Sequence, residues 1–263
     1  KPTAFGRLDL FQKVGEKAAL NEEEIAEWER VLVRYDSVCK RAHDLQVGLL
    51  IDAEESWMQD AADAVALDMM RKYNKEKAYI YNTAQMYRWD RLEYVKKIYE
   101  TAALEKFKVG LKVVRGAYME KENDRAKSNG YRSPICESKQ ATDDNYNAAV
   151  DFMMQHLETM SIFAGTHNEE SCLRLSEKMI AHGFTADSDA IWFGQLFGMS
   201  DHITYNLSAA GFNATKYVPY GPVKDVMPYL IRRAEENTSV AGQTSRELAL
   251  LEKEKKRRKL DLG

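Results

Sequence analysis

Short apolar runs alternate with longer amphipathic stretches along this chain. The short runs are residues 47–54 (VGLLIDAE), 77–85 (KAYIYNTAQ), 109–118 (VGLKVVRGAY), 161–168 (SIFAGTHN), 190–196 (AIWFGQL) and 214–221 (ATKYVPYG). Their near-continuous apolar character predicts strands buried on both faces. Between them the spacing of apolar positions predicts helices over 22–45, 57–73, 91–105, 145–160, 169–182, 202–210 and 223–237. Strands alternating with helices predict a parallel sheet with crossover helices. The polar stretch 121–140 (KENDRAKSNGYRSPICESKQ) reads as a surface loop, and the charged tail 252–259 (EKEKKRRK) as a solvated helix end.

Two parallel architectures compete, and the strand ends separate them. Polar residues stand where strands give way to loops: Asp52, Asn82 with Gln85, Arg115 with Tyr118, the run Thr166-His167-Asn168, and Gln195. A doubly wound sheet would gather its chemistry at one switch point behind a glycine fingerprint, and neither G-x-G-x-x-G nor a P-loop occurs. Polar residues at nearly every C-terminal strand end fit an α/β barrel, whose strand ends converge on one mouth. The 263 residues suit one such domain. Residues 1–4 read as the end of a seventh strand. A closed barrel needs eight, so at least one strand is expected outside this chain.

Composition narrows the function classes. Hydrophobic residues make up 44% and charged residues 30%, which supports a folded core. The 38 Lys+Arg against 41 Asp+Glu leave a net charge of −3, the wrong balance for a nucleic-acid partner. No apolar run reaches the ~18 residues of a membrane span. The three cysteines, Cys39, Cys136 and Cys172, are odd in number and widely spaced. They predict reduced thiols in an intracellular compartment and no zinc site. The chain starts at Lys1 rather than Met, without a signal or transit pattern, and is expected to follow a removed segment.

Several strand-end residues can carry chemistry. Asp52 is either a carboxylate paired with a cation in the mouth or the cap of the next helix. Lys112 lies inside an apolar strand, so it snorkels or meets an anion. Arg115-Gly116-Ala117 offers a cation and close backbone approach, suited to a phosphate or a flat ring; the alternative is an interior ion pair with Asp52. Residues 166–168 are a ligand-facing loop or a cap on the helix from Glu169. No metal-ligand spacing accompanies His167. Tyr229, Arg232, Arg233 and Glu236 fall on one helical face, with Leu230, Ile231 and Ala234 for packing. That face either clamps a carboxylate bidentately or is a solvated Arg–Glu surface.

Seven motifs in order make the sequence similar to proline dehydrogenases: IDAE (51–54), YNTAQMY (81–87), KVVRGAY (112–118), THN (166–168), FGQLFGM (193–199), KYVPYGP (216–222) and YLIRRAEEN (229–237). The resemblance runs from Lys1 to about Val240, and its wording is closer to the short, single-function branch. It implies a distorted (β/α)8 TIM barrel, here lacking its first strand, with FAD held noncovalently over the strand ends. Residues 1–263 would then be one barrel domain, truncated at its start, with 229–263 as helices covering the mouth and the tail.

The same resemblance implies the site. Asp52 and Lys112 match catalytic positions, with Lys1 as the expected partner of Asp52. Ala53, Asn82, Gln85, Lys112, Val114, Arg115, Gly116, Ala117, Thr142, Thr166, His167, Asn168, Gln195 and Leu196 fall on cofactor-lining positions. Asn82 stands where many members carry Gln. Lys1, Tyr217, Tyr229, Arg232, Arg233 and Glu236 match substrate positions, with the arginine pair on the carboxylate. The implied reaction is oxidation of L-proline to 1-pyrroline-5-carboxylate, a hydride equivalent passing to FAD and electrons then to a quinone. Peripheral membrane association is expected, at the mitochondrial inner membrane in a eukaryote or the cytoplasmic membrane face in a bacterium. A second polypeptide or a removed segment would supply the first strand. Hydroxyproline oxidation is the alternative, and the bulk of Tyr217 argues against it. A cofactor-free scaffold barrel, using the basic tail at an anionic surface, is the reading from another class.

Overall fold

A computed structural model describes residues 1–224, 226–227, 229–231, 233 and 251–258. A 3-10 turn at Pro2–Ala4 leads into α1 (Leu8–Gly15), α2 (Glu22–Asp44), β1 (Leu49–Leu50), α3 (Ser56–Tyr73), β2 (Ile80–Gln85), α4 (Arg91–Glu105) and β3 (Val109–Val114). Then come α5 (Met119–Asn129), α6 (Lys139–Met154), β4 (Met160–Gly165), α7 (Glu169–Ala181), β5 (Ile191–Leu196), α8 (Asp201–Ala209) and β6 (Ala214–Tyr217).

The six strands form one sheet in sequence order, β1 to β6, and the registered pairs from β1 to β5 are parallel. Order without reversal is the winding of a (β/α) barrel and leaves no switch point. β1 and β6 are the two edges of the described sheet. All six predicted runs contain a strand. The chain divides into two compact units, Lys1–Lys216 and Tyr217–Gly263.

Side chains on one sheet face build the core against the helices. Val109, Leu111 and Val113 of β3, Met160 and Ile162 of β4, and Ile191 and Phe193 of β5 are fully buried there. Asn74, which ends α3, pins the strand starts. Its amide donates to Ile80 O and Lys108 O at 2.8 and 3.0 Å, and its Oδ1 accepts from Tyr79 N and Ile80 N. Every bonding site of this buried side chain is thereby used.

Three expectations are corrected. Residues 1–4 are not strand. Pro2 sits in the first turn of a 3-10 helix, where its fixed φ is preorganised, and Ala4 N bonds Lys1 O at 3.0 Å. The stretch 121–140 is largely helical: α5 ends on Gly130 at φ 71°, and α6 starts at Lys139 on the Ser138 cap, six residues before the predicted start. α6 also ends at Met154, because Met160 already belongs to β4. Finally, α1 carries no separate prediction; its eight residues bury Leu10 and Phe11.

Candidate active site

Strand register sorts the site residues. One row across the sheet is Thr83, Lys112, Phe163 and Trp192. The row beneath it is Asn82, Leu111, Ile162 and Ile191. Successive side chains on a strand point to opposite faces, so these rows look opposite ways. The second row faces the helices: Leu111, Ile162 and Ile191 are fully buried, and Asn82 bonds Asp63 of α3 and Tyr94 of α4 at 2.8 and 2.9 Å. The first row therefore faces the barrel interior, with Lys112 on it.

Above Lys112 two interior-face positions are glycines, and the side chains of neighbouring residues lie over them. Gly165, the last residue of β4, is paired with Gly194, two residues before the end of β5. A Cβ on Gly165 would stand 2.8 Å from Val114 Cγ1, and one on Gly194 2.3 Å from the Phe163 ring. Gly116, just past β3, has φ +135° and is exposed, and a Cβ there would meet the Tyr87 ring at 2.5 Å. These glycines let Val114, Phe163 and Tyr87 pack close against the backbone beside Lys112, whose ammonium suits a ligand carrying hydrogen-bond acceptors.

Lys112 pairs with Asp52, which lies just beyond β1. Burial pushes the Asp52 carboxyl up, but the Lys112 ammonium and its hydrogen bond outweigh this and hold it below the ordinary carboxylate range. The expected partner, Lys1, adds to this through space but makes its direct contacts with other residues. Its ammonium donates to Tyr118 Oη at 2.8 Å and lies 3.7 Å from Glu54 Oε1. The cause is the 3-10 turn. Thr3 N and Thr3 Oγ1 both donate to the Glu54 carboxylate, at 2.9 and 2.8 Å, so Glu54 and not Asp52 anchors the chain start. Nor is Asp52 a helix cap, because Glu55 is the N-cap position of α3. Glu54 and Tyr118 thus join Asp52, Lys1 and Lys112. Both carried a signal: Glu54 follows Asp52 by two in an extended segment, and Tyr118 closes the KVVRGAY motif.

The other predicted residues fall into distinct places. Val114 ends β3 on the interior face, and Ala117 is exposed beside Gly116. Gln85, buried at the end of β2, donates to Glu54 O at 2.7 Å, and Ala53 is buried beside it in sequence. Arg115 is a brace. It donates to Asp143 Oδ1, Thr166 Oγ1 and Ser171 Oγ at 2.6, 2.9 and 3.0 Å, and its guanidinium lies 4.5 Å from the Tyr146 ring. Thr142 is on α6 and bonds Ser138 O. His167 joins two strand-end loops, with Nδ1 3.0 Å from Ser200 Oγ and Nε2 accepting from Leu196 N. Asn168 caps α7 by accepting from Ser171 N at 2.9 Å, the cap reading of that position.

Two residues are not brought to the mouth. Asn82 is on the helix-facing row, as above. Gln195 shares the parity of Ile191 and Phe193; it is buried, donates to Thr166 O and accepts from Thr204 of α8 at 2.8 Å. In the second unit the Tyr217 and Tyr229 rings meet at 5.5 Å and 62°, and the Arg233 guanidinium lies 5.1 Å from the Tyr229 ring. Arg232 and Glu236 lie outside the described residues. Among the described residues no group of three His, Cys, Asp or Glu is placed to hold a metal.

The chain is similar to known proteins. A family model described as proline dehydrogenase matches residues 6–246. The carbapenem antibiotics biosynthesis protein CarD of Pectobacterium carotovorum is 39% identical over 259 residues, covering 98% of this chain and 66% of that protein. Mitochondrial proline dehydrogenase 1 of Drosophila melanogaster is 39% identical over 247 residues, covering 90% and 36%, and the human protein 39% over 233, covering 88% and 39%. The chain thus spans about a third to two thirds of these relatives. Among solved structures, proline utilization A of Bdellovibrio bacteriovorus superposes with a TM-score of 0.75 at 22% identity, over 82% of this chain and 22% of that one. That likeness is one of fold. With the family match running over nearly its whole length, this chain belongs to the proline dehydrogenase family.

Proposed function

We propose that this chain oxidises L-proline to 1-pyrroline-5-carboxylate, using FAD bound on the interior face of the strand ends. The observation that carries the reading is Lys112, a mostly buried cation held by Asp52 on the interior face at the strand ends. Val114, Gly116, Ala117, Gln85 and Lys112 would line the FAD site, with Arg115, Thr166 and His167 bracing its rim. FAD, when bound, supplies the two-electron acceptor chemistry. The protein's part is orientation and exclusion of water. Asp52 stays ionised at neutral pH and fixes the Lys112 ammonium. Lys1 joins Tyr118 and Glu54, two residues beyond Asp52, in a second polar cluster. By resemblance, Arg232 and Arg233 bind the substrate carboxylate, Glu236 supports them, and Tyr217 and Tyr229 pack the ring.

Electrons would pass on to a quinone, with the protein peripheral to a membrane. The described residues contain no helix long and apolar enough to cross one. The names of the insect and human relatives favour a mitochondrial site if the source is eukaryotic.

The test is direct. Purified chain loaded with FAD is mixed anaerobically with L-proline, the flavin absorbance is followed, and the product is trapped chemically. Bleaching with trapped pyrroline product is expected. A bound flavin that proline does not reduce overturns the reading, and faster bleaching by 4-hydroxyproline reassigns the substrate.

A further inference from the structure

Residues 51–55 belong to neither helix nor strand, yet they carry Asp52 and Glu54. Side chains from other elements hold their backbone. Thr83 Oγ1 donates to Ile51 O at 2.6 Å, Gln85 to Glu54 O at 2.7 Å, and Glu54 N donates to Gln59 Oε1 at 3.1 Å. At the end of this segment, α5 grips three consecutive residues, the N-cap Glu55 and the first two of α3. Lys121 pairs with Glu55, Glu122 accepts from Ser56 N and Ser56 Oγ at 2.6 and 2.5 Å, and the Arg125 guanidinium lies 4.2 Å from the Trp57 ring.

Glu122 is the centre of this grip. Its side chain caps α3, which has no side-chain cap from its own N-cap residue. Its own N–H bonds Tyr118 O at 2.9 Å and closes the first turn of α5, directly behind the tyrosine whose hydroxyl meets Lys1. Glu122 is 0% exposed, so water cannot replace these bonds when they are lost. The helix it belongs to buries only Glu122 and Ala126. Apolar packing is therefore a small part of what seats α5, and the polar grip a large one.

We propose that Glu122 is a positioning residue: it locks the start of α5 to the start of α3, and so fixes Tyr118 and the Asp52–Glu54 segment relative to each other. The kinetic part of this inference rests on the proline-oxidising reading above; the structural part does not.

Three variants of the FAD-loaded full chain test it. Glu122→Leu removes both bonds. Glu122→Gln keeps them, since its amide accepts from Ser56 N and donates to Ser56 Oγ. Ser56→Ala removes one. Glu122→Leu is expected to raise the KM for L-proline about tenfold at unchanged flavin content, as a small misplacement of a site does. It should also speed amide hydrogen exchange in residues 52–58 and 118–122. Glu122→Gln should stay within about twofold of the parent, and Ser56→Ala should fall between, serving in place of Glu122→Leu if that variant does not fold. A cap that only stabilises α3 would lower the melting temperature and leave KM and the exchange of residues 118–122 unchanged, and that result overturns the proposal. So does a Gln variant as impaired as Leu. If the parent does not oxidise proline, the functional reading falls, and the exchange pattern alone decides the clamp.

Discussion

Lys112 and Asp52 meet across an intervening strand. They are 60 residues apart in the chain, Lys112 on β3 and Asp52 just beyond β1, and β2 lies between them in the sheet. The contact works because Lys112 shares its row with Thr83, whose small side chain turns aside to bond Ile51 O. A long side chain at Thr83 would stand in the path of the lysine. The ammonium is largely buried, with a side-chain exposure of 14%, so it needs the carboxylate; Asp52, at 34%, still reaches solvent.

Removing one member should hurt more than removing both. Asp52→Ala leaves a mostly buried cation unpaired and is expected to cost about 1–3 kcal/mol, less than for a fully buried pair because the carboxylate is partly screened. The double variant Asp52→Ala with Lys112→Met should recover part of that loss. Denaturant midpoints of the single and double variants check this. Additive losses would mean that the two groups are not coupled. Flavin affinity, measured alongside, should fall in every variant lacking Lys112.

Gly116 is held at φ +135° with the Tyr87 ring against the place a Cβ would occupy. Gly116→Ala therefore meets both backbone strain and a clash at 2.5 Å. A loss of about 1–3 kcal/mol in stability and weaker flavin retention are expected. Gly130→Ala is the control, since its Cβ would meet nothing within 4 Å and only the φ of 71° opposes it. Equal flavin retention in the two variants would remove Gly116 from the proposed flavin site.

The strands and their polar ends were readable because buried parallel strands are apolar throughout, and a polar residue after such a run is conspicuous. Facing was not readable. Asn82 and Gln85 look alike at the end of one strand, but they are three apart, so alternation sends them to opposite faces. Only register shows that Asn82 belongs with Leu111 and Gln85 with Val114. The ion pair partners were hidden for a similar reason. Nothing local says that the turn at Pro2 delivers Lys1 to Glu54 instead of Asp52. Helix α5 was missed because a helix seated by ion pairs and caps lacks the apolar stripe that marks the others.

Acid should weaken the fold through Asp90. This carboxylate accepts from Arg88 at 2.6 and 3.0 Å and from Arg91 at 3.1 Å. Burial raises its pKa, but the two arginines outweigh burial and bring it down to about 2. Between an unfolded value of about 4 and this folded value, the unfolded chain binds more protons. The contribution is therefore complete above about pH 4 and is lost as pH falls towards 2. Asp90→Asn should be less stable than the parent at pH 7, with a smaller gap at pH 3. Denaturant midpoints at the two pH values test this, and a gap that stays constant would show that Asp90 is not part of the acid response.

Asn82 separates a structural amide from a cofactor contact. Its position in the sequence matches a cofactor-lining residue, yet its amide donates to Asp63 and Tyr94 behind the sheet. Asp63 also accepts from Arg91 at 2.6 Å and from Gln59, so Asn82 belongs to a buried polar network between α3, α4 and β2. Asn82→Ala should leave these partners short of a donor and lower stability by about 1–3 kcal/mol. The interior face is untouched by the change, because Thr83 and Gln85 occupy it. Flavin affinity and the flavin absorption spectrum should therefore match the parent under conditions where both are folded. A shifted spectrum, or an affinity loss beyond about threefold in folded protein, would place the Asn82 amide at the cofactor and overturn the facing derived from register.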